Sequence, residues 1–314
     1  INEREIMKKY SKEQINKAFA IYNDGDGLDH WSYSSTSTPF AKNLINYTFR
    51  EKVRRQFPFR YKPSFGNLVN NTVQNLICHE KYIKEDKKVV LDNRNYEILF
   101  NQELEIINKK EPIDKEDKFG RKMMVEFAHP CIEVAKKVVL EIMGKSKMTC
   151  ERYIRTKEKG LIKEIVGRID YESMDDNPKF IELKTKPPKT RKKKNKEEWS
   201  AYSQPLPTEP TIENLTQTAY YYMATKKKPF LVYVNDQDAI IFDDTHELLK
   251  PDHLEHLYYR MINKIMAWEN MILIANGDLR ELAMMCEPPD LNHYFYYKDL
   301  VEEQKNLIKQ LWCL

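Results

Sequence analysis

The sequence predicts an α/β fold, and three observations carry that expectation. Apolar residues recur at helical spacing up to Gly144. Beyond it the pattern shortens to strand-like runs at 149–156, 162–172 and 179–185. A helical stretch at 211–227 and two more strand-like runs at 229–235 and 239–242 then follow. The order helices, three strands, helix, two strands, helices reads as one α/β domain with a helical N-terminal elaboration. The expected parts are an elaboration at 1–116, packed on a core at 117–314 that ends in C-terminal helices.

Each element has a local reason. Ile15 and Phe19 belong to a first helical pattern, which the acidic run Asp24-Gly-Asp-Gly-Leu-Asp29 breaks. That run resembles the start of a calcium loop, but Leu28 takes a ligand position and Asp29 stands where the turn glycine belongs, so a solvated turn is expected. The Ser/Thr run 34–38 offers N-caps for a helix at about 39–56. Leu68, Val69, Val73, Leu76 and Ile77 mark a second helix, from 63 toward 82. A third is expected at about 93–108 and a fourth at about 117–143, with Pro130 a kink or restart and Gly144 a cap. Asp175-Asp-Asn-Pro178 is turn chemistry between the second and third strands. Long amphipathic helices are expected at 251–276 and 298–312.

Composition bounds the function. With 41% hydrophobic and 32% charged residues among 314, the chain can bury a sizeable core and is neither disordered nor membranous. No apolar run nears the ~18 residues of a span, and residues 1–10 lack a signal peptide's apolar core. The five cysteines show no C-x-x-C pair, which argues against a disulfide scaffold, a zinc ribbon or an iron–sulfur cluster. A reducing, cytoplasmic setting is expected, in a bacterial or viral context given the abundant Lys, Asn and Ile; an imported, processed chain would read the same way.

The net charge of +4 is unevenly spread. Eight basic residues and no acid lie in 184–196, leaving 44 basic against 48 acidic residues elsewhere, a net −4. One basic segment on an acidic body points to a local polyanion site. Its proline content and polarity predict a mobile loop over 184–210. Lys186, Lys189, Arg191 and Lys192 can meet phosphates there, and Trp199 and Tyr202 offer flat faces for unpaired bases.

The most informative stretch runs from Gly167-Arg-Ile-Asp170 to Phe180-Ile-Glu182-Leu-Lys184. Strand alternation puts Glu182 and Lys184 on one face and Ile181 and Leu183 in the core. A turn centred near Asp176 brings Asp170 beside Glu182. Two adjacent carboxylates repel unless a cation or proton lies between them. Mg²⁺ resolves the conflict and keeps waters that can become nucleophiles. Lys184 can position or deprotonate such a water, or neutralise charge growing on a phosphate. An acid-x-lysine pair is also a common solvated strand face, so the company it keeps matters.

With that company, Asp170 and Glu182-x-Lys184 resemble the PD-(D/E)xK nuclease superfamily. The resemblance implies a restriction-endonuclease-like core, a mixed central β-sheet flanked by helices in the order α-β-β-β-α-β. Gln217-x-x-x-Tyr221 is similar to the helix motif of RecB-like exonucleases, which implies that these two contact the nucleic acid beside the site. The set looks most like the mitochondrial genome maintenance exonuclease branch and its bacterial and phage relatives. It implies Mg²⁺ or Mn²⁺ held by Asp170, Glu182 and the Leu183 backbone carbonyl. Of the upstream G-x-x-x-H motif, Gly66 is present but Asn70 replaces the histidine. Asn70 can ligate a hard cation through its carbonyl oxygen, hold a metal-bound water, or fill a polar helix face. No iron–sulfur cluster is expected, since the cysteine cluster of that subgroup is missing.

The expected function is a metal-dependent DNA exonuclease acting on single-stranded or processed ends, with no membrane partner. The alternatives are a catalytically silent nucleic-acid-binding module on the same fold, or an endonuclease cutting DNA or RNA. Weaker candidates are His253 with His256 for zinc, Glu126, His129 and Glu133 approaching the metal from a helix, and Arg50, Arg54 and Arg55 as phosphate contacts.

Overall fold

The structure is a computed structural model describing residues 10–21, 27–49, 52–53, 60–91, 95–176, 178–194, 198–293, 297 and 300–313. Arg50, Arg54, Arg55 and Asp24–Asp26 of the acidic run lie outside the described residues. In chain order the helices are α1 (Lys12–Phe19), α2 (Tyr33–Thr36), α3 (Phe40–Thr48), α4 (Tyr61–Ile77), α5 (Tyr96–Asn108), α6 (Lys115–Met143), α7 (Ile212–Thr225), α8 (Pro251–Ala275), α9 (Leu279–Met284) and α10 (Glu302–Trp312). The strands are β1 (His30–Ser32), β2 (Glu80–Lys84), β3 (Lys87–Val90), β4 (Met148–Thr156), β5 (Glu164–Ser173), β6 (Lys179–Thr185), β7 (Lys189–Lys192), β8 (Trp199–Tyr202), β9 (Lys228–Val234) and β10 (Ala239–Phe242).

Two compact units share the chain. One comprises 1–58, 155–167 and 256–314, the other 59–154 and 168–255. The partition is interleaved, where the sequence places a single boundary at 116/117.

In the first unit β1 runs parallel to the opening residues of β5, pairing Trp31 with Ile165. Glu269 on α8 is buried, and its carboxylate accepts the Trp31 indole N–H (3.0 Å) and the backbone N–H groups of Ile162 (2.6 Å) and Lys163 (2.9 Å). Burial pushes this carboxyl up while those donors pull it down. Trp268 packs its ring on Trp31 and Phe40.

The second unit is α/β with a mixed central sheet flanked by helices, ordered β10-β9-β6-β5-β4-β2-β3. β6 is parallel to β9 and antiparallel to β5, and β2 is parallel to β4. Its core joins Phe65, Leu68, Val69 and Val73 of α4 and Ala128, Cys131, Ile132 and Ala135 of α6 to Ile181, Leu183, Val232 and Val234 of the sheet. Both helices therefore bury one apolar stripe on one sheet face. Asp114 caps α6 by accepting the Asp117 N–H at 2.7 Å. α6 continues through Pro130, the expected kink or restart, because buried neighbours on both sides outweigh one lost backbone bond. Asp117 is buried and accepts the Tyr61 N–H that opens α4 (2.6 Å) and the Arg121 Nε–H (3.0 Å). Gly120 permits this contact, since a β-carbon there would lie 2.4 Å from the Tyr61 ring.

Two expectations change. The helix expected to run toward 82 stops at Ile77, and β2 and β3 form an antiparallel hairpin on the sheet's flank. Five of its nine residues are charged, Ile83 and Val90 are exposed, and Lys88 pairs with Glu80 at 2.5 Å, so no apolar alternation announces it. The basic segment, expected as a mobile loop, contains the two-stranded hairpin β7–β8, which pairs Lys189 with Tyr202 and Lys192 with Trp199. Cross-strand pairing of long side chains with aromatics supplies order that composition hides. Among the described residues no helix is long and apolar enough to cross a membrane.

Candidate active site

The site grows from the β5–β6 ladder, whose register pairs Tyr171 with Ile181 and Glu172 with Phe180. One step further along, the Asp170 carboxylate takes the Leu183 N–H at 2.9 Å. Glu182 and Lys184 share the β6 face with Phe180, while Ile181 and Leu183 enter the core, as alternation predicts. Lys184 Nζ donates to Glu182 Oε1 at 2.6 Å and to Gln217 Oε1 at 2.8 Å. Gln217 Nε2 donates to the Tyr221 hydroxyl at 3.2 Å. That hydroxyl donates to the Arg168 carbonyl (2.6 Å) and accepts the Arg168 N–H (3.1 Å). A continuous chain of hydrogen bonds thus links the acid–lysine strand to the glutamine–tyrosine helix.

Local features place α7 for this. Thr211 caps it by accepting the Asn214 N–H, and the Tyr233 hydroxyl on β9 holds its start, accepting from Thr211 N (3.2 Å) and Asn214 Nδ2 (2.7 Å). Gln217 and Tyr221, four residues apart, then face the strand together.

On the α4 side, a β-carbon at Gly66 would lie 3.1 Å from Thr185 Oγ1, so glycine lets the helix approach β6 closely. One turn on, Asn70 Nδ2 donates to Asp170 Oδ1 at 3.2 Å while Asn70 Oδ1 accepts the Tyr171 hydroxyl at 2.7 Å. Asn70 therefore presents its nitrogen to the carboxylate and keeps its oxygen for Tyr171, unlike the carbonyl ligand considered from sequence.

The electrostatics are strained. Burial, then repulsion from Glu182 and Glu151, raises Asp170 well above the ordinary carboxylate range, against the pull of Lys184. Burial likewise raises Glu182 while Lys184 pulls it down. Burial disfavours the charge on Lys184, yet Glu182 and Asp170 hold it above the usual lysine range. Glu182 is 1% exposed, and its Oε2 is buried with no hydrogen-bond partner. An anionic oxygen left so is costly unless a cation occupies its lone pairs. Among the described residues no group of three or more His, Cys, Asp or Glu forms a metal cluster. Two carboxylates suffice for Mg²⁺, which is commonly held by one or two with water and phosphate oxygens completing the shell. Asp170 and Glu182 fit such an ion.

Two contributors, Glu151 and Gln74, were not anticipated. Glu151 on β4 accepts Gln74 Nε2 and Arg168 Nη1, both at 2.9 Å. Its left-handed backbone (φ 58°) breaks the strand alternation from which its side-chain direction would be read. Gln74 lies one turn beyond Asn70 on α4, a spacing that does announce it.

The remaining candidates fall elsewhere. Tyr221 is 2% exposed with its hydroxyl engaged, so it braces Gln217 and the β5 backbone instead of standing available to a strand, as expected from sequence; the Tyr220 beside it is buried too. Lys186 lies over the Tyr233 ring (5.3 Å), and burial lowers its ammonium. Lys189, Arg191, Lys192 and Tyr202 are exposed on the hairpin, with Trp199 half-buried there. Glu126, His129 and Glu133 are exposed on α6; His129 bonds Tyr96 and Glu133 pairs with Lys136.

No family model matches the chain, and no curated protein matches it. One solved structure, the crystal structure of SSO0001, aligns at 18% identity over 53% of this chain and 84% of that one, with a TM-score of 0.27.

Proposed function

We propose that this chain is a divalent-metal-dependent DNA nuclease of the PD-(D/E)xK, RecB-like kind, an exonuclease hydrolysing phosphodiester bonds at single-stranded or processed ends. The observation that carries the reading is the partnerless buried Glu182 Oε2 beside a second carboxylate, with a lysine ammonium aimed by Glu182 and Gln217. The order α6, β4, β5, β6, α7, β9, with the β7–β8 hairpin inserted before α7, supports the reading of a restriction-endonuclease-like core.

In this reading Asp170 and Glu182 hold Mg²⁺ or Mn²⁺. When bound, the ion supplies Lewis-acid polarisation of the phosphodiester and acidifies a water. The Leu183 N–H and Asn70 fix the Asp170 carboxylate in one orientation. Lys184 has three donors, two of them taken by Glu182 and Gln217, and the third serves a phosphate oxygen as negative charge grows there. Tyr221 holds Gln217, and through it the direction of Lys184. End-labelled oligonucleotides with and without Mg²⁺ test the proposal. Metal-dependent release of label supports it; binding without release points to a silent module, and cutting of a closed circular single strand to an endonuclease.

A further inference from the structure

A basic and aromatic stripe on α6 meets the β7–β8 hairpin. Lys115, Lys118, Phe119 and Lys122 fall at i, i+3, i+4 and i+7, one helical face. With Lys192 and Trp199 they line a groove of about 520 Å³. The Phe119 and Trp199 rings stack there, centroids 6.4 Å apart and planes 28° from parallel. Among the described residues no acid lines the groove, and Lys118, Lys122 and Lys192 are exposed. Hairpin orientation is fixed by Thr190, which meets the Tyr61 hydroxyl (3.1 Å) and donates to Glu116 Oε1 (3.0 Å). Strand alternation then turns Lys192 to the same side as Thr190, toward α6, with Lys189 and Arg191 on the other side.

Spacing selects the ligand. Lys115 and Lys122 are seven residues apart, about 10 Å along the helix axis, which spans roughly three phosphates of one strand. A single small anion needs no such length, and paired bases offer no free face to Phe119 and Trp199. α4 relates the groove to the acids: Tyr61 at its start holds the hairpin and Asn70 bonds Asp170. The nine residue steps from Tyr61 to Asn70 rise about 14 Å, on the order of four stacked nucleotides.

We infer that this groove is a separate contact for single-stranded nucleic acid, with lysine ammonium groups on phosphates and an unpaired base against Phe119 and Trp199. The inference builds on the nuclease reading, placing the strand several nucleotides from Asp170 and Glu182. Binding in the groove requires no divalent ion, so it is measured independently of cleavage.

The experiment uses the full chain in EDTA and the anisotropy of a labelled oligothymidine of about twelve nucleotides, titrated between about 50 and 200 mM salt. Lys118→Ala/Lys122→Ala is expected to weaken binding about tenfold at low salt and to flatten the log–log salt slope by about 1.4, or ~0.7 per lost phosphate contact. Phe119→Ala is expected to weaken binding about fivefold or more with the slope unchanged. Lys137→Ala/Lys145→Ala removes the same charge from exposed positions outside the groove and is expected to leave the slope as in wild type. Circular dichroism establishes folding, and Phe119→Leu replaces Phe119→Ala if the latter unfolds. Wild-type affinity and slope in the Lys118/Lys122 variant, equal losses in the control, or no effect of removing the Phe119 ring would each overturn the inference. A wild-type chain that binds through the groove but never cleaves with Mg²⁺ sinks the nuclease reading and leaves the groove standing.

Discussion

The Asp170 carboxylate on β5 accepts the backbone N–H of Leu183 on β6 at 2.9 Å, which ties one acid of the site to the strand that carries the other. Position and charge are thereby set against each other: the bond fixes Asp170 where Glu182 and Glu151 repel it.

That conflict makes stability depend on pH. Folding raises Asp170 above its unfolded value near 4, so between the two values the native state binds more protons than the unfolded one, and stability falls as pH rises through that window. Asp170→Asn removes this residue's share of the dependence and leaves that of Glu182, which burial also raises. Stabilities from urea unfolding without divalent ions should shift in the variant's favour from pH 4.5 to pH 8. Added Mg²⁺ at pH 8 should stabilise wild type more than the variant. A difference independent of pH would contradict the electrostatic account.

Tyr221→Phe deletes a buried hydroxyl that joins Gln217 to the Arg168 backbone. A loss of about 1–3 kcal/mol is expected, read by thermal or urea unfolding. Oligonucleotide affinity in EDTA should change less than about twofold, since the ring is buried. A large drop in affinity with unchanged stability would restore Tyr221 as a direct contact.

Asp117→Ala leaves Arg121 and the Tyr61 N–H without their buried partner. Breaking such a pair costs about 3–5 kcal/mol. Urea unfolding should show that loss, and because Tyr61 also holds the hairpin through Thr190, partial proteolysis should cut first near 190–200. A variant as stable as wild type would remove Asp117 as the anchor of α4.

Much of the sheet was legible because β5 and β6 alternate, and α7 keeps a 3.6-residue period between turn signals. The meeting of Asp170, Glu182 and Lys184 was legible for the same reason, since register and alternation fix which side chains share a face. Glu151 was hidden by its left-handed backbone, and β2–β3 by charged side chains on both faces. The role of Tyr221 was misjudged because spacing gives a residue's face but not its depth, which Phe180 and Tyr220 set by packing on its ring. The basic hairpin needed cross-strand partners that no local pattern displays.

In the proposed mechanism Asp170, Glu182 and Lys184 act together with a divalent ion on a phosphodiester. Its most direct test is the initial rate of label release from an end-labelled single strand, measured across Mg²⁺ concentrations for wild type and Lys184→Met. Release should be absent in EDTA, rise with Mg²⁺ for wild type, and fall about 10²–10³-fold in Lys184→Met, with a folded variant by circular dichroism. No metal-dependent release by wild type, or a wild-type rate in Lys184→Met, would contradict the account.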